Sequence, residues 1–478
     1  MQLIKLIVDF LVVIMHGIFG LLALLFGKSL NNRGKYDGKY LSRFKRWKEI
    51  NRRNRGVCVN GTHSISLERS LTHTLIVGGS GSGKSSTVII PSIQRGESSF
   101  FVLDLDGSIY RNTSGHLLQE GWTIDVVNLQ DVTQSQFFGL LQLCQDEIEL
   151  KKIVQFIVGI AYPDGNADSQ FWSLGAEKIL FICCRFLQEQ GEQHFNLRNL
   201  RYLLENYYQL EATFVAKASQ EVFDMYKSFK SSDSKVESGH VSSALFALER
   251  LSNKYIDHLT SRNTIDFSML CRPKRAIYFI VPERHIKLYS PIISCFVYLM
   301  MNALQENRSP KPVMLYLDEF ASLGNLGADF ELYSVILRRY NVGLVCAIQG
   351  ESQLLKYGTA GAKTLLNGSL ANKIYLPGVS LDLATDLSRA FGKTSVEITP
   401  KDEALVTDRE LLTPTEIMQL PRGKVIYQFR NEPPTILKSK PFRHLRKLNK
   451  RSKMEPAPMP KNELISPELI PLVSEHDD

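Results

Sequence analysis

The stretch "THTLIVGGSGSGKSSTVIIP" (Thr72 to Pro91) places several glycines next to a lysine and serines, side chains that can bind an anion or a metal ion. Four residues separate Gly78 from Gly83, and Lys84 and Ser85 follow directly. Glycines let backbone amides approach phosphate oxygens, and the start of a following helix adds partial positive charge. We therefore expect a loop that binds nucleotide phosphates and consists of Gly78, Gly79, Ser80, Gly81, Ser82, Gly83, Lys84, Ser85 and Ser86.

Two side chains of this loop have specific expected roles. Lys84 would reach the β- and γ-phosphates, and the Ser85 hydroxyl would ligate Mg²⁺. The apolar run "LIV" before the loop predicts a buried strand, and "SSTVII" after it predicts a helix. This context favours a phosphate loop over the alternative, a glycine- and serine-rich turn that happens to carry a lysine.

Two later apolar runs end in polar residues that could complete the site. In "VMLYLDEF", the apolar run Val313 to Leu317 is followed by two acids. Asp318 would hold Mg²⁺ through water, and Glu319 would polarise an attacking water. "VGLVCAIQ" ends in Gln349, whose amide could sense a γ-phosphate. The alternatives are solvated acids at an ordinary strand end and an amide that only caps a strand.

Positive charge is unevenly distributed along the 478 residues. The chain carries a net charge of +8, but residues 28–55 alone hold 11 Lys/Arg against 2 Asp/Glu. The remainder is therefore close to neutral, and the high pI by itself is weak evidence for DNA binding. The seven cysteines show no metal-ligand spacing and mostly lie in apolar runs, which indicates buried, reduced thiols.

An apolar stretch directly precedes the basic segment. Leu6 to Phe26 is 21 residues long and would span about 32 Å at ~1.5 Å per residue. The basic segment after it predicts, by the positive-inside rule, a single-pass anchor with residues 28–478 in the cytoplasm. The alternatives are a buried core helix and a cleaved signal peptide; a signal peptide would have its charge before the apolar stretch.

Strand and helix signals alternate along most of the chain. Residues 56–145 and 266–437 predict an α/β domain with a parallel sheet, and residues 146–265 predict an inserted all-α domain. Residues 1–27 form the predicted transmembrane anchor and residues 28–55 a basic juxtamembrane segment. Residues 438–478 are basic, then acidic and Pro-rich, which predicts a disordered tail.

Several motifs resemble the coupling proteins of type IV secretion and bacterial conjugation. The similar stretches are "GGSGSGKSSTVIIPSI", "FWSLGAEKIL", "LDEFASLG", "ILRRYNVGLVCAIQGESQLLKYG", "LLNGSLANKIYLPG" and "RELLTPTEIMQLPRGKVI". Together the resemblance covers roughly residues 70–435. "LDEFASLG" is the most specific of these motifs.

The resemblance implies a RecA-like P-loop ATPase that uses ATP and Mg²⁺ and assembles as a homohexamer in the bacterial inner membrane. Its partners would be relaxase-bound single-stranded DNA, the secretion channel proteins and membrane lipid. Arg338 occupies the family's position for an arginine that completes a neighbouring subunit's site. The chain departs from the family at Thr72, where some members have a second arginine, and at Asp106, where many have a lysine.

Three functions remain open at this stage. The first is a motor that drives DNA into a secretion channel during conjugation, and the second is the same motor exporting protein. The third is a nucleotide-binding docking adaptor without motor activity. A chromosome translocase of the FtsK type would need several spans and a winged-helix end, and neither signal is present in the sequence.

Overall fold

The structure, a computed structural model, describes residues 39–144, 146–162, 167–230, 233–320, 334–398 and 405–473. The predicted span Leu6 to Phe26 and the first part of the basic segment lie outside the described residues. Contacts within the chain divide it into two units. One comprises residues 1–40 and 381–417, and the other residues 41–380 and 418–478.

Apolar runs form the strands of the larger unit, as their composition predicts. Every residue of the first strand is buried, and so is every residue of the strand that precedes Asp318. Such continuous burial is typical of strands covered on both faces of a parallel sheet. The strands of the larger unit are β1 (Thr74–Val77), β2 (Ser99–Leu105), β3 (Thr123–Asn128), β4 (Arg275–Val281), β5 (Val313–Leu317), β6 (Val342–Ile348), β7 (Asn372–Tyr375), β10 (Lys424–Phe429) and β11 (Thr435–Lys438).

These nine strands form one sheet in the order β11-β10-β7-β1-β6-β5-β2-β4-β3. The seven strands from β7 to β3 run parallel, whereas β10 pairs antiparallel with β7 and β11 antiparallel with β10. The predicted α/β fold with a parallel sheet is therefore confirmed. Parallel strands end at a common side of a sheet, which we call the carboxyl end, and begin at the opposite side, the amino end.

Helices cover the sheet and fill the long connection between β3 and β4. In chain order the α-helices are α1 (Arg43–Glu49), α2 (Leu67–Ser70), α3 (Ile90–Arg95), α4 (Ser108–Gln119), α5 (Glu147–Ala161), α6 (Ala167–Glu189), α7 (Leu197–Glu205), α8 (Leu210–Lys217), α9 (Gln220–Phe229), α10 (Ser234–Glu249), α11 (Lys254–Leu259), α12 (Ile286–Glu306), α13 (Gly358–Lys363), α14 (Leu381–Phe391), α15 (Pro414–Met418) and α16 (Arg446–Ser452). Within the described part of residues 146–265, every regular element is helical. The division by contacts keeps these helices in the same unit as the sheet, so a separate all-α domain stays a prediction.

One described helix is long and apolar enough to cross a membrane. It covers Glu283–Glu306 and includes α12, but 78% of its most apolar window is buried within the protein. The Phe296 ring of α12 lies 5.6 Å from that of Phe101 and 4.7 Å from that of Phe279, both on strands of the sheet. We therefore interpret it as a core helix of the α/β fold.

The smaller unit contains a strand pair that the sequence analysis did not separate from the main sheet. β8 (Lys393–Ile398) pairs antiparallel with β9 (Leu405–Glu410), with Lys393 opposite Glu410. Helix α14 precedes this pair, and the Arg409 side chain forms an ion pair with Glu416 in α15. The predicted range 266–437 of the α/β domain therefore includes residues 381–417, which belong to the smaller unit.

The prediction of a disordered tail is wrong for residues 438–473. Helix α16 buries Leu448, and an extended segment follows along the larger unit. Asn462 donates its backbone N–H to the Thr133 carbonyl at 2.8 Å, and Ile470 donates its own to the Asn199 side chain at 2.9 Å. Low hydrophobicity indicated disorder, but polar side chains on the body satisfy the backbone of this segment.

The cysteines are free thiols, as predicted. Six of the seven are buried, and Cys271 is half-buried. Burial raises the pKa of the Cys58 thiol, which keeps it protonated and unreactive at neutral pH.

Candidate nucleotide-binding site

The predicted phosphate loop connects β1 to a helical stretch at the carboxyl end of the sheet. Gly81 and Gly83 have φ values of 68° and 95°, a left-handed conformation that side chains with a Cβ adopt at a cost. A π-helical turn, Lys84–Ile89, follows and continues into α3. The strand–loop–helix order predicted from the glycine spacing is therefore confirmed.

The turn after β7 packs against the phosphate loop, a contact that the sequence does not predict. A Cβ on Gly79 would lie 3.1 Å from the carbonyl oxygen of Gly378, which follows β7. A Cβ on Gly78 would lie 2.8 Å from the Cβ of Leu376. Glycine at Gly78 and Gly79 thus permits the close approach of two backbones that brings the loop over the strand ends.

The Lys84 side chain turns back over the loop. Its Nζ donates to the carbonyl oxygens of Gly78 at 3.0 Å and Gly79 at 3.4 Å, and the residue is buried. The ammonium therefore lies inside the curve of the loop, where an anion would pair with it. The Ser82 hydroxyl is also buried and has no hydrogen-bond partner among the described residues, so a polar group is available to a ligand in the same loop.

Ser85 follows β1 and Asp318 follows β5, and their side chains meet although β6 lies between these strands. The Ser85 hydroxyl donates to a carboxylate oxygen of Asp318 at 2.5 Å. Burial raises the pKa of Asp318, whereas the Ser85 hydrogen bond and the Lys84 charge oppose that shift. An Mg²⁺ ion would offset the same burial cost, and a hydroxyl beside a carboxylate is the donor pair that Mg²⁺ uses with nucleotide phosphates.

Glu319 and Gln349 are also in contact. The Gln349 side-chain amide donates to the Glu319 carboxylate at 2.8 Å, which joins the ends of β5 and β6. Glu319 has a φ of 56°, a conformation that costs about 1–2 kcal/mol for a residue with a Cβ. This strained backbone and the amide contact fix the carboxylate beside Asp318.

Arg338 lies away from this group. It is exposed in a short 3₁₀ turn, Leu337–Tyr340, which precedes β6. Gln349 follows β6, and seven strand residues of about 3.3 Å each separate the two ends. Within one chain Arg338 therefore does not join the site, and its role as an arginine finger for another subunit stays a prediction.

Arg69 lies three residues before Thr72, the position expected to carry a second arginine in some family members, and it has a different environment. It forms ion pairs with Glu49 at 3.1 Å and Glu432 at 3.5 Å, and its guanidinium lies 4.0 Å from the centre of the Phe429 ring. These contacts account for the charge of Arg69 within its own chain.

Asp104 is a buried carboxyl to which the sequence analysis gave no role. It is the last residue but one of β2 and accepts backbone N–H groups of Ile109 at 3.0 Å and Tyr110 at 2.6 Å, which caps α4. Burial raises its pKa to about 7, and the Asp318 charge adds to that shift. The only sequence signal was its position at the end of an apolar run, as for Asp318.

A family model of conjugative DNA transfer in type IV secretory systems matches residues 29–461, most of the chain. The chain belongs to this conjugative DNA transfer family. The resemblance noted from the motifs is thereby confirmed. No curated protein sequence matches the chain significantly.

Solved structures of conjugative coupling proteins share the fold. The plasmid coupling protein TrwB in complex with ADP and Mg²⁺ is 18% identical, with a TM-score of 0.64, and the match covers 90% of this chain and 98% of that one. TrwB in complex with a non-hydrolysable ATP analogue is 17% identical, with a TM-score of 0.65, covering 91% and 99%. VirB4 of Thermoanaerobacter pseudethanolicus is 12% identical, with a TM-score of 0.50, covering 82% and 98%.

These matches establish the fold of the chain. TrwB structures that contain nucleotides are consistent with the phosphate loop described above. Among the described residues no cluster of three or more His, Cys, Asp or Glu side chains could hold a metal ion alone. A site built from Ser85, Asp318 and nucleotide phosphates does not need such a cluster.

Proposed function

We propose that the chain is a membrane-anchored ATPase motor that couples relaxase-bound single-stranded DNA to a type IV secretion channel. The observation that carries this proposal is the meeting of four side chains at the carboxyl end of the sheet. Ser85 contacts Asp318 at 2.5 Å and Glu319 contacts Gln349 at 2.8 Å, beside the Lys84 loop. Family membership supplies the substrate class.

Each side chain would have a distinct task in ATP hydrolysis. The loop amides and Lys84 would bind the phosphates, and Ser85 and Asp318 would hold Mg²⁺. When bound, Mg²⁺ would neutralise phosphate charge. Glu319 would orient the attacking water and accept its proton, because its carboxylate is fixed by Gln349.

Gln349 would link the nucleotide state to motion. Its side chain contacts Glu319, and its backbone N–H donates to the Gln353 side chain at 2.8 Å. A change at the γ-phosphate that moves Glu319 would therefore reach the segment after β6. In a homohexamer, Arg338 of one subunit would approach the nucleotide of the next and stabilise charge there.

The experiment uses the full-length chain in lipid nanodiscs with ATP and Mg²⁺, with and without single-stranded DNA. The variants are Lys84→Ala and Glu319→Gln, and the matched control is Lys227→Ala, an exposed lysine on α9. We expect DNA-stimulated hydrolysis in the parent and control and its loss in both site variants.

Two other outcomes would replace the proposal. Hydrolysis without any response to DNA would favour export of protein substrates by the same motor. Nucleotide binding without hydrolysis in the assembled ring would favour a docking adaptor.

A further inference from the structure

Two basic segments that are far apart in the sequence meet on one surface. The first belongs to the juxtamembrane region and the second to α16, in the segment predicted to be a disordered tail. Both line a cavity of about 760 Å³. Its basic residues from the two segments are Arg52, Arg55, Arg446, Lys447 and Arg451.

This surface lies at the amino end of the sheet. Trp122 and Lys274 line the same cavity and directly precede β3 and β4. The phosphate loop and Asp318 follow their strands, so they lie at the opposite end of the sheet. The surface is therefore separate from the candidate nucleotide site.

Most of its charges are uncompensated. Among the described residues, Arg55 pairs with Glu97, whereas no ion pair involves Arg52, Arg446 or Lys447. Backbone carbonyls stabilise the buried part instead, since Arg95 donates to Thr62 at 2.7 Å and to Arg52 at 2.9 Å. Glu97 and Glu120 also line the cavity, but its seven Lys/Arg side chains outnumber them, so the surface is complementary to an anionic partner.

The arginines of this surface also lower the pKa of two neighbouring histidines. Burial lowers the pKa of His63, and Arg52 and Arg95 lower it further. Burial also lowers the pKa of His116, and Arg451 adds to the shift.

Two exposed aromatic side chains lie beside these charges. Phe44 and Trp47 of α1 are 70% and 71% exposed and three residues apart, so they share one side of the helix. Trp47 lines a second basic cavity, which shares Arg52 with the first. Tryptophan with lysine and arginine is the composition found where a protein meets the headgroup region of a membrane.

We propose that this surface, the basic face, docks on the anionic phospholipid headgroups of the membrane leaflet. The basic face comprises α1, Arg52, Arg53, Arg55 and α16. The inference rests on the proposed membrane attachment, because the predicted span ends at Phe26, shortly before α1. It adds that the carboxyl-terminal helix α16 contacts the same membrane, with α1 inserting Phe44 and Trp47 at the interface.

A nucleic acid could also use positive charge and aromatic side chains. Lipid is favoured because a predicted span that ends at Phe26 would keep α1, which begins at Arg43, near the headgroups. Leu41, the first residue of the larger unit, donates its backbone N–H to the carbonyl of Pro434, which precedes β11, so the chain enters this unit at the amino end of the sheet. Nucleic-acid binding by the same residues is therefore an outcome of the test.

The test places the full-length chain in nanodiscs whose lipids have brominated acyl chains, which quench tryptophan on contact. One set contains phosphatidylcholine alone, and the other contains one part phosphatidylglycerol to two parts phosphatidylcholine. A Trp47→Phe variant isolates the Trp47 signal from Trp122 and Trp172. The charge variant combines Arg52→Gln, Arg446→Gln and Lys447→Gln, and its control combines Lys227→Gln, Lys235→Gln and Lys254→Gln on exposed helix positions.

We expect stronger quenching of Trp47 in the anionic nanodiscs, and a decrease of this quenching with added salt. Each basic residue near an anionic surface contributes about fivefold to binding, so the charge variant should weaken docking roughly 100-fold. The control variant should retain the parent's difference between the two lipids.

Three results would overturn the inference. Equal quenching in both lipids is the first, and equal behaviour of the charge and control variants is the second. The third is loss of single-stranded DNA binding by the charge variant in phosphatidylcholine nanodiscs without a lipid effect, which would assign the face to nucleic acid.

ATP hydrolysis in the same nanodiscs reports separately on the proposed function. If the protein stays bound to anionic nanodiscs but dissociates from zwitterionic ones, the result would support lipid docking by the basic face and refute the predicted transmembrane anchor.

Discussion

The two ends of the same sheet differ in how their surfaces are assembled. At the carboxyl end, the nucleotide site consists of short motifs, each directly after an apolar strand. At the amino end, the basic face joins α1 to α16, which begins at Arg446. Each motif of the candidate nucleotide site thus has a local signal, its position directly after an apolar run, whereas the basic face combines two segments that have no such signal and that only the fold brings together.

If the two ends work separately, changes at the carboxyl end should alter hydrolysis, and changes at the amino end should alter stability or membrane contact. The largest expected effect is that of Glu319→Gln. Loss of the general base should reduce kcat about 10²- to 10⁴-fold, with nucleotide affinity retained. Steady-state hydrolysis and fluorescent-nucleotide binding would measure the two quantities, and an unchanged kcat would exclude Glu319 as the base.

His73 provides a test at the amino end, directly before β1. Its ring nitrogens contact the Ser334 carbonyl at 2.6 Å and the Leu344 N–H at 2.9 Å, and burial lowers its pKa to about 4. The unfolded chain therefore binds a proton that the folded chain excludes between pH 6.5 and about 4. This stability is present above pH 6.5 and should be lost on acidification, on the order of 3 kcal/mol by pH 4.

Urea denaturation as a function of pH would measure this loss. His73→Gln should lower stability at pH 7 and flatten the pH dependence below 6.5. An equally steep dependence in the variant would assign it to other groups.

The carboxyl-terminal segment should contribute to stability through Ile470, which is 2% exposed. Ile470→Ala removes buried apolar surface and should cost about 2 kcal/mol. Leu464→Ala, at a residue that is 47% exposed, is the matched control and should have little effect. Hydrogen exchange at the backbone amides of residues 197–217 would detect the difference, and equal protection in both variants would show that the segment does not stabilise these helices.

The smallest effect expected at the carboxyl end is that of Gln349→Ala. The variant loses the 2.8 Å contact with Glu319, and kcat should fall about tenfold, equal to about 1.4 kcal/mol. Gln353→Ala removes a contact with the Gln349 backbone but leaves the Glu319 contact, so it serves as the comparison. A larger loss in Gln353→Ala than in Gln349→Ala would contradict the role of the Glu319 contact.

The candidate nucleotide site could be predicted from the sequence because its signals are local. Lys84, Ser85, Asp318, Glu319 and Gln349 each follow an apolar run, and parallel strands bring such positions to one end of a sheet. β10 and β11 form a hairpin, but the pairing of β10 with β7 joins distant residues, such as Tyr427 and Ile374, and composition does not encode it. The tail was misjudged because its partners, such as Asn199 and Thr213, lie on helices more than 200 residues earlier.

The strand order has a consequence for biosynthesis. β10 and β11 leave the ribosome after the other seven strands of the sheet, and β10 covers β7, which lies directly beside the strand that leads into the phosphate loop. A chain released before Lys424 would present β7 as an open strand with unpaired amide and carbonyl groups, which invites pairing with other chains. Incomplete translation products of this protein should therefore aggregate or be degraded, and only chains read to their last strands would yield a working sheet.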